Sequence, residues 1–242
     1  MKYRVERQAG YVIHTRPYRD TSMLVDFFTI EHGRVSAVVR GARRPNAKLR
    51  AFLQPFTPLV LSWQGRGELK TIITLESADQ PLMLVGHSLM CGLYLNELLQ
   101  RLLPIAEGFP KLYVYYQYAL NALKAEDDVE LALRAFELKL LSELGYGLAL
   151  AELDAHSSYQ LSPKGELTRI HSQPYTGVPV LQGAWLLAIA EDQYQDPQVR
   201  KVAKYLTRTL LALRLGDKPL KSRELFAKRP LPVADQQEKH HD

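Results

Sequence analysis

Two different hydrophobic periodicities divide the chain near Pro81. Before Pro81, short stretches rich in β-branched and aromatic residues are separated by turn signals, which is typical of β-strands. The pattern predicts five strands, over residues 10–15, 23–29, 34–39, 58–63 and 69–75. Five short strands with no long helix among them favour a small closed barrel, of OB-like or SH3-like type, over an open sheet with bare edges.

After Pro81 the apolar residues recur every three or four positions, which predicts helices. These cover residues 86–103, 111–124, a stretch from Asp127 or Asp128 to a stop at Gly145, then 182–193 and 197–215. Asp196 is the expected N-cap of the last helix, with Pro197 at its first position. Residues 148–180 are mixed, with a turn at 162–165 between two extended pieces. The sequence therefore predicts an α+β protein, with an N-terminal barrel domain over 1–80 and a mainly helical domain over 81–242.

Composition removes several classes of protein. Cys91 is the single cysteine among 242 residues, so neither a disulfide framework nor a thiolate zinc cage can form. No apolar run approaches the length of a membrane span, and residues 1–7 lead into no secretory signal. We expect a cytoplasmic protein that does not enter a membrane.

Charge is distributed unevenly along the chain. The net charge is +6 over residues 1–80, −4 over 81–182 and +3 over 183–242, for a total of +5. A basic beginning and end around an acidic middle are a hint of a polyanionic partner.

One segment between Glu31 and Glu68 carries basic residues and no acidic one. A loop with several cations and no counter-charge suits a phosphate backbone, because each contact releases condensed counterions. An ordinary solvated loop is the alternative. The candidate DNA-binding residues are Arg34, Arg40, Arg43, Arg44, Lys48, Arg50 and Arg66. Six aromatic residues could stack on bases but are expected mostly to fill the barrel: Tyr11, Tyr18, Phe27, Phe52, Phe56 and Trp63.

A second basic feature lies on the helix over 197–215. Arg200, Lys204 and Arg208 recur every four residues and therefore share one face of the helix. The charge continues through Lys218, Lys221, Arg223, Lys228 and Arg229. A surface for a partner or DNA and a merely solvated face fit this pattern equally.

Signatures of enzymes are missing from the sequence. It has no phosphate-binding loop, no glycine-rich dinucleotide turn and no nucleophile elbow. The acidic residues near Asp128 suit a helix start better than a metal site, and Cys91 lies in an apolar helix as a core residue. We therefore expect no enzyme, no cofactor and no metal.

Eight blocks of sequence, in order along the chain, resemble the RecO family of bacterial recombination mediators. They are DTSMLVDFFT at 20–29, HGRV at 32–35, RGAR at 40–43, LQPF at 53–56, GLYLNELL at 92–99, RAFELKLL at 134–141, LGYG at 144–147 and KPLKSREL at 218–225. Together they span nearly the whole chain.

The resemblance implies an N-terminal OB-fold and a helical C-terminal domain. It implies binding of single- and double-stranded DNA, strand annealing, and work with RecR in loading RecA onto DNA coated by the single-stranded-DNA-binding protein. Many family members hold zinc with four cysteines after the LGYG block. Here residues 148–180 contain no cysteine, and Leu153 stands where the first would fall. We expect this subregion to be stabilised by packing alone.

Three classes of function remain to be separated. They are a DNA-binding recombination mediator, a protein adaptor without a DNA role, and, least favoured, a nuclease or ligase-like enzyme. Because the coating protein ends in an acidic tail with a terminal apolar residue, its receptor needs an apolar pocket rimmed by cations. We expect that surface at Arg134, Arg200, Lys204, Leu206 and Arg208.

Overall fold

The N-terminal strands form a closed barrel. The computed structural model describes residues 3–45, 47, 49–171 and 174–227. The strands are β1 (Arg4–Tyr18), β2 (Ser22–Thr29), β3 (Gly33–Val39), β4 (Leu59–Gln64) and β5 (Leu69–Ser77), with a short helix α1 (Leu49–Phe52) before β4. Their order is β1-β2-β3-β5-β4, and β1 closes the barrel by pairing with both β2 and β4. Only the β3–β5 pair is parallel. This is an OB-like barrel, one of the two types that the strand pattern left open and the one that the resemblance implied.

Strand β1 is much longer than the predicted strand over residues 10–15. Its first half pairs with β4, and its second half pairs with β2. Pro17, a residue type typical of turns, lies within β1 opposite Met23. A proline is tolerated there because pairing with β4 ends at Gly10, which leaves this end of β1 at an edge of the sheet, where prolines occur.

The second half of the chain is helical. Its helices are α2 (Gly86–Leu102), α3 (Pro110–Ala125), α4 (Val129–Glu143), α5 (Gly183–Ala190), α6 (Pro197–Leu215) and α7 (Lys221–Ala227). Between α4 and α5 lie a 3-10 turn (Leu150–Glu152) and a small sheet of β6 (Ser158–Leu161), β7 (Leu167–Arg169) and β8 (Leu181–Gln182). Asp128 and Asp196 cap α4 and α6, accepting from Leu131 N and Gln198 N. The expected caps are confirmed, and no described helix is long and apolar enough to cross a membrane.

The outer face of the barrel shares a hydrophobic core with the helices. The inside of the barrel has its own cluster, which includes Phe27 and Trp63. On the outer face, Tyr11, Ile13 and Phe28 belong to the same cluster as α2, α3 and α4. The Tyr11 and Phe28 rings contact Tyr116 of α3 edge-on, at centroid distances of 5.3 and 5.8 Å. The two halves are therefore packed together rather than tethered.

Backbone contacts also hold the barrel against the helical half of the chain. The loop between α2 and α3 passes directly under the β2–β3 turn, where Ala106 N donates to the Arg34 carbonyl at 2.9 Å. Gly33 has a φ of +55°, and a Cβ there would lie 1.7 Å from the Glu107 carbonyl oxygen. Only glycine fits at this approach.

Candidate functional site

A cleft of about 400 Å³ opens on the barrel between the β1–β2 turn, the end of β3 and the start of β5. The β1–β2 turn contributes Tyr18 and Arg19, the segment after β3 contributes Arg40 and Arg44, and β5 contributes Lys70. These elements meet because β3 pairs with β5 in parallel register, with Val38 opposite Thr71. Four cations from three separate segments of the chain thus face one space.

Hydrogen bonds to backbone carbonyls hold the walls of this cleft. Arg43 N donates to the Thr21 carbonyl at 2.9 Å, and Arg43 Nη1 donates to the Arg19 carbonyl at 3.1 Å. The loop after β3 is thereby fixed to the β1–β2 turn. On the opposite wall, Lys70 Nζ donates to the Gly67 carbonyl at 2.6 Å.

The cations of the cleft have no nearby carboxylate. Within the described part of the chain, no carboxylate oxygen lies within the 4.0 Å of an ion pair from Arg19, Arg40, Arg44 or Lys70. The three arginines are exposed. The Arg19 guanidinium lies 5.2 Å from the centre of the Tyr18 ring, which leaves its positive charge intact. An uncompensated cationic cleft of this kind attracts phosphate groups.

The predicted DNA-binding residues do not all reach this cleft. Arg40 and Arg44 line it, and Arg43 lies beside it, on the turn. Arg50 and Arg66 are exposed but belong to other parts of the barrel surface. Lys48 lies outside the described residues.

Arg34 requires a correction. Its guanidinium Nη1 donates to the Gln100 carbonyl of α2, and its Nε is buried with no hydrogen-bond partner among the described residues. Arg34 therefore joins the barrel to the helices and is not among the residues that line the cleft.

Most of the aromatic candidates fill the core, as expected. Tyr11, Phe27, Phe56 and Trp63 are buried, so they offer no ring to a base. Tyr18 and Phe52 remain partly exposed, and of these only Tyr18 lines the cleft. It is the single candidate for base stacking within the cleft.

A second pocket, of about 440 Å³, lies between α2, α4, α6 and α7. Its apolar side is formed by Cys91, Tyr94 and Leu133. Four cations also line the pocket: Arg134, Lys204, Arg208 and Arg223. Glu130 is the only carboxylate in the lining. The lining has the combination of apolar surface and cationic rim that an acidic peptide with an apolar end requires.

Arg134 is held rigidly at the base of this pocket. It is only 7% exposed, and its Nη1 lies 2.8 Å from Glu137 Oε2 and 3.0 Å from Thr207 Oγ1. Tyr94 Oη donates to Glu137 Oε1 at 2.6 Å. Burial raises the pKa of Glu137, and the Arg134 charge opposes that shift. Arg134 Nε has no partner among the described residues, so it still has a hydrogen bond to donate.

Cys91 lies at the wall of the same pocket. Burial raises the pKa of its thiol to about 11, so the thiolate does not form near neutral pH. This agrees with the expectation of a core residue rather than a nucleophile.

Two residues of the predicted partner surface lie elsewhere. Arg200 Nη2 is paired with Asp128 Oδ2 at 2.6 Å, and Arg200 Nε donates to the Tyr194 carbonyl at 2.7 Å, so the side chain is held away from the pocket. Leu206 is fully buried on the opposite face of α6. Leu206 therefore cannot contact a partner, and the apolar surface comes from α2 and α4 instead.

Residues 148–180, where the resemblance implies a zinc site in many family members, place no matching set of metal ligands among their described side chains. Leu153 packs against the helical core, where the first cysteine would fall. The Asp154 carboxylate accepts from Ser157 Oγ at 2.7 Å and from Arg169 Nη2 at 3.1 Å. Across the described ranges, no three histidine, cysteine, aspartate or glutamate side chains are placed to share a metal ion.

Three cations in these sites were not predicted from the sequence. Arg19 and Lys70 do not belong to a dense basic run, and Arg223 was noted only as an extension of the basic segment. These three residues could be found only from the fold. Closure of the barrel brings Arg19 and Lys70 beside Arg40 and Arg44, and the packing of α7 brings Arg223 beside the cations of α4 and α6.

Family models and individual relatives of this chain point to the same family of proteins. The family model described as Recombination protein O N terminal matches residues 1–81, and that described as Recombination protein O C terminal matches residues 84–224. A DNA repair protein RecO of Pseudomonas paraeruginosa is 47% identical over 229 residues, covering 92% of this chain and 95% of the relative. The corresponding proteins of Methylococcus capsulatus and Cupriavidus metallidurans are 42% and 39% identical, each over 92% of this chain.

Proposed function

The chain belongs to the RecO family of DNA repair proteins, and from that membership we propose that it binds single- and double-stranded DNA through the barrel cleft and anneals strands. With RecR, it would help to load RecA onto DNA that is coated by the single-stranded-DNA-binding protein. Its site of action would be the cytoplasm, at the nucleoid. No enzymatic step is part of this proposal.

The observation that supports DNA binding is the uncompensated charge of the cleft. Arg19, Arg40 and Arg44 are exposed and have no carboxylate partner among the described residues. This differs from α6, where Arg200 and Lys204 are already paired with Asp128 and Glu130. A cation without a protein partner can neutralise a phosphate without first losing an ion pair.

A salt titration tests this proposal. We would measure anisotropy of a labelled single-stranded oligonucleotide with wild type and with Arg40→Ala/Arg44→Ala. The double variant should bind all sequences more weakly, and its slope of log K against log salt should be shallower by about 0.7 per lost contact. Arg4→Ala is the matched control, because Arg4 lies on the same barrel, outside the cleft and paired with Glu6 at 2.8 Å.

Unchanged affinity and slope in the double variant would remove the DNA role of the cleft. Cleavage of the oligonucleotide in the presence of Mg²⁺ would contradict the non-enzymatic part of the proposal.

A second activity is supported by the pocket between α2, α4, α6 and α7, which we call the tail pocket. We propose that it receives the acidic C-terminal tail of the single-stranded-DNA-binding protein. Arg208 and Arg223 are exposed at its rim, and Arg134 lies at its base. On this basis the protein could also act as an adaptor without direct DNA contact.

Titration of a short synthetic peptide, rich in aspartate and ending in phenylalanine, tests the tail pocket. Arg208→Ala/Arg223→Ala should bind it at least tenfold more weakly, since each charge-assisted bond contributes about 1.5–3 kcal/mol. Arg169→Ala, on β7, is the control and should bind it as wild type does. Equal affinity in all three proteins would exclude the tail pocket as the receptor.

A further inference from the structure

The one carboxylate in the lining of the tail pocket belongs to Glu130. Glu130 lies in the first turn of α4, and its Oε1 accepts from Lys204 Nζ at 2.6 Å. Both side chains are at the mouth of the pocket, with 45% and 41% of their surfaces exposed. In the free protein, Lys204 is therefore already paired with a carboxylate of this chain.

The remaining cations do not have such a partner at the mouth. Arg208 and Arg223 form no ion pair among the described residues, and the ion pair of Arg134 is directed inward, to Glu137. The hydrogen bond from Lys204 holds the pKa of Glu130 below its ordinary value, so Glu130 is ionised near neutral pH. At the mouth of the pocket, a negatively charged ligand thus meets Arg208 and Arg223 without an ion pair in the described part of the chain, and Lys204 already paired with Glu130.

We propose that Glu130 is an internal competitor of the acidic ligand for Lys204, and that its displacement sets the affinity of the tail pocket. The inference rests on the tail pocket proposed above. Bound Glu130 resembles the ligand in chemistry: one carboxylate, directed at a lysine, at the edge of an apolar surface. The incoming carboxylate replaces an existing ion pair rather than adding a new one, so Lys204 contributes little to net affinity in the wild type.

A neighbouring ion pair provides a matched control. Asp128 lies two residues before Glu130 and binds Arg200 Nη2 at 2.6 Å, but Arg200 is not part of the pocket lining. Asp128→Asn removes the same charge as Glu130→Gln, and asparagine retains an oxygen that can cap α4. The two variants therefore separate release of Lys204 from a change of net charge.

The test is a double-mutant cycle read by titration of the aspartate-rich peptide. Glu130→Gln should bind the peptide about three- to fivefold more tightly than wild type, in line with the strength of an exposed ion pair. In the Lys204→Ala background, Glu130→Gln should give no comparable gain, because no lysine is left for the substitution to release. Asp128→Asn should bind as wild type does. Circular dichroism and melting temperatures would establish that each variant is folded.

Each result supports or overturns the inference. An equal cost of Lys204→Ala in both backgrounds, or an equal gain in Asp128→Asn, would show that only net charge matters and would overturn it while the tail pocket stands. Absence of peptide binding in every protein would overturn the tail pocket itself, and the competitor with it.

Discussion

Ser222 Oγ donates to Glu97 Oε2 at 2.6 Å, and the backbone N of Ser222 donates to the same oxygen at 2.8 Å. Glu97 Oε1 also accepts from Lys221 N, at 2.9 Å. A carboxylate on α2 therefore satisfies the first free N–H groups of α7, 124 residues later in the chain. The family block at 218–225 is thus held in place by the block at 92–99.

Removing this carboxylate should release α7. In Glu97→Ala, the amide protons of α7 should exchange at least about tenfold faster, because three hydrogen bonds to a charged group are lost. Affinity for the acidic peptide should fall as well, since Arg223 of α7 lines the tail pocket. Hydrogen exchange with mass spectrometry measures the first effect. Glu224→Gln, on α7 itself, is the control and should leave exchange unchanged.

The same contact should make stability depend on pH. Burial raises the pKa of Glu97, but the hydrogen bonds from Ser222 and Lys221 together outweigh burial and leave it below its ordinary value of 4.5. The contribution of Glu97 to stability is therefore complete above about pH 4.5 and is lost as pH falls through the lower folded-state pKa. Melting curves of wild type and Glu97→Gln should differ near neutral pH and converge in acid. A constant difference would contradict this assignment.

Arg34 should act on stability rather than on DNA. Arg34→Ala loses the hydrogen bond to the Gln100 carbonyl of α2 and should lower the free energy of unfolding by about 1.5–3 kcal/mol. Its effect on the salt slope of DNA binding should be no greater than that of the control Arg4→Ala. Urea denaturation and the anisotropy titration give both numbers. A slope reduced as far as that of Arg40→Ala/Arg44→Ala would return Arg34 to the DNA-binding residues.

Tyr116→Phe should weaken the junction of the two halves. Tyr116 Oη donates to Asn96 Oδ1 at 2.5 Å, and Asn96 Nδ2 donates to the Val12 carbonyl of β1 at 3.4 Å. The substitution keeps the ring but leaves a buried amide oxygen without a donor, which costs about 1–3 kcal/mol. Urea denaturation measures the loss, with Tyr118→Phe as the control, because Tyr118 is 68% exposed. Equal stability of the two variants would show that the buried hydrogen bond contributes nothing.

Local signals were sufficient for much of the fold. Helix α6 begins and ends at the predicted residues, because a capped start at Asp196 and a regular apolar stripe both lie within the segment itself. The first strand was underestimated because Arg4 to Ala9 alternate weakly and Pro17 resembles a turn. What permits that proline is the one-sided pairing of β1 at that end, which depends on strands far away in sequence.

The candidate sites were predicted less well than the fold, for a related reason. The basic run identified Arg40 and Arg44, but Arg19 and Lys70 join them only through strand pairing. The regular face of α6 suggested three free cations. Asp128 and Glu130, which bind two of them, lie about 70 residues earlier in the chain, where a local count of charge cannot include them.

The shared core has a consequence for how such a protein can evolve. A gene divided between residues 81 and 84 would yield a barrel with Tyr11, Ile13 and Phe28 in contact with water, and helices that lack the same surface. Neither product would be a usable building block, because bare apolar patches promote aggregation. The barrel could therefore be joined to an unrelated protein only if a new partner covered the same apolar face.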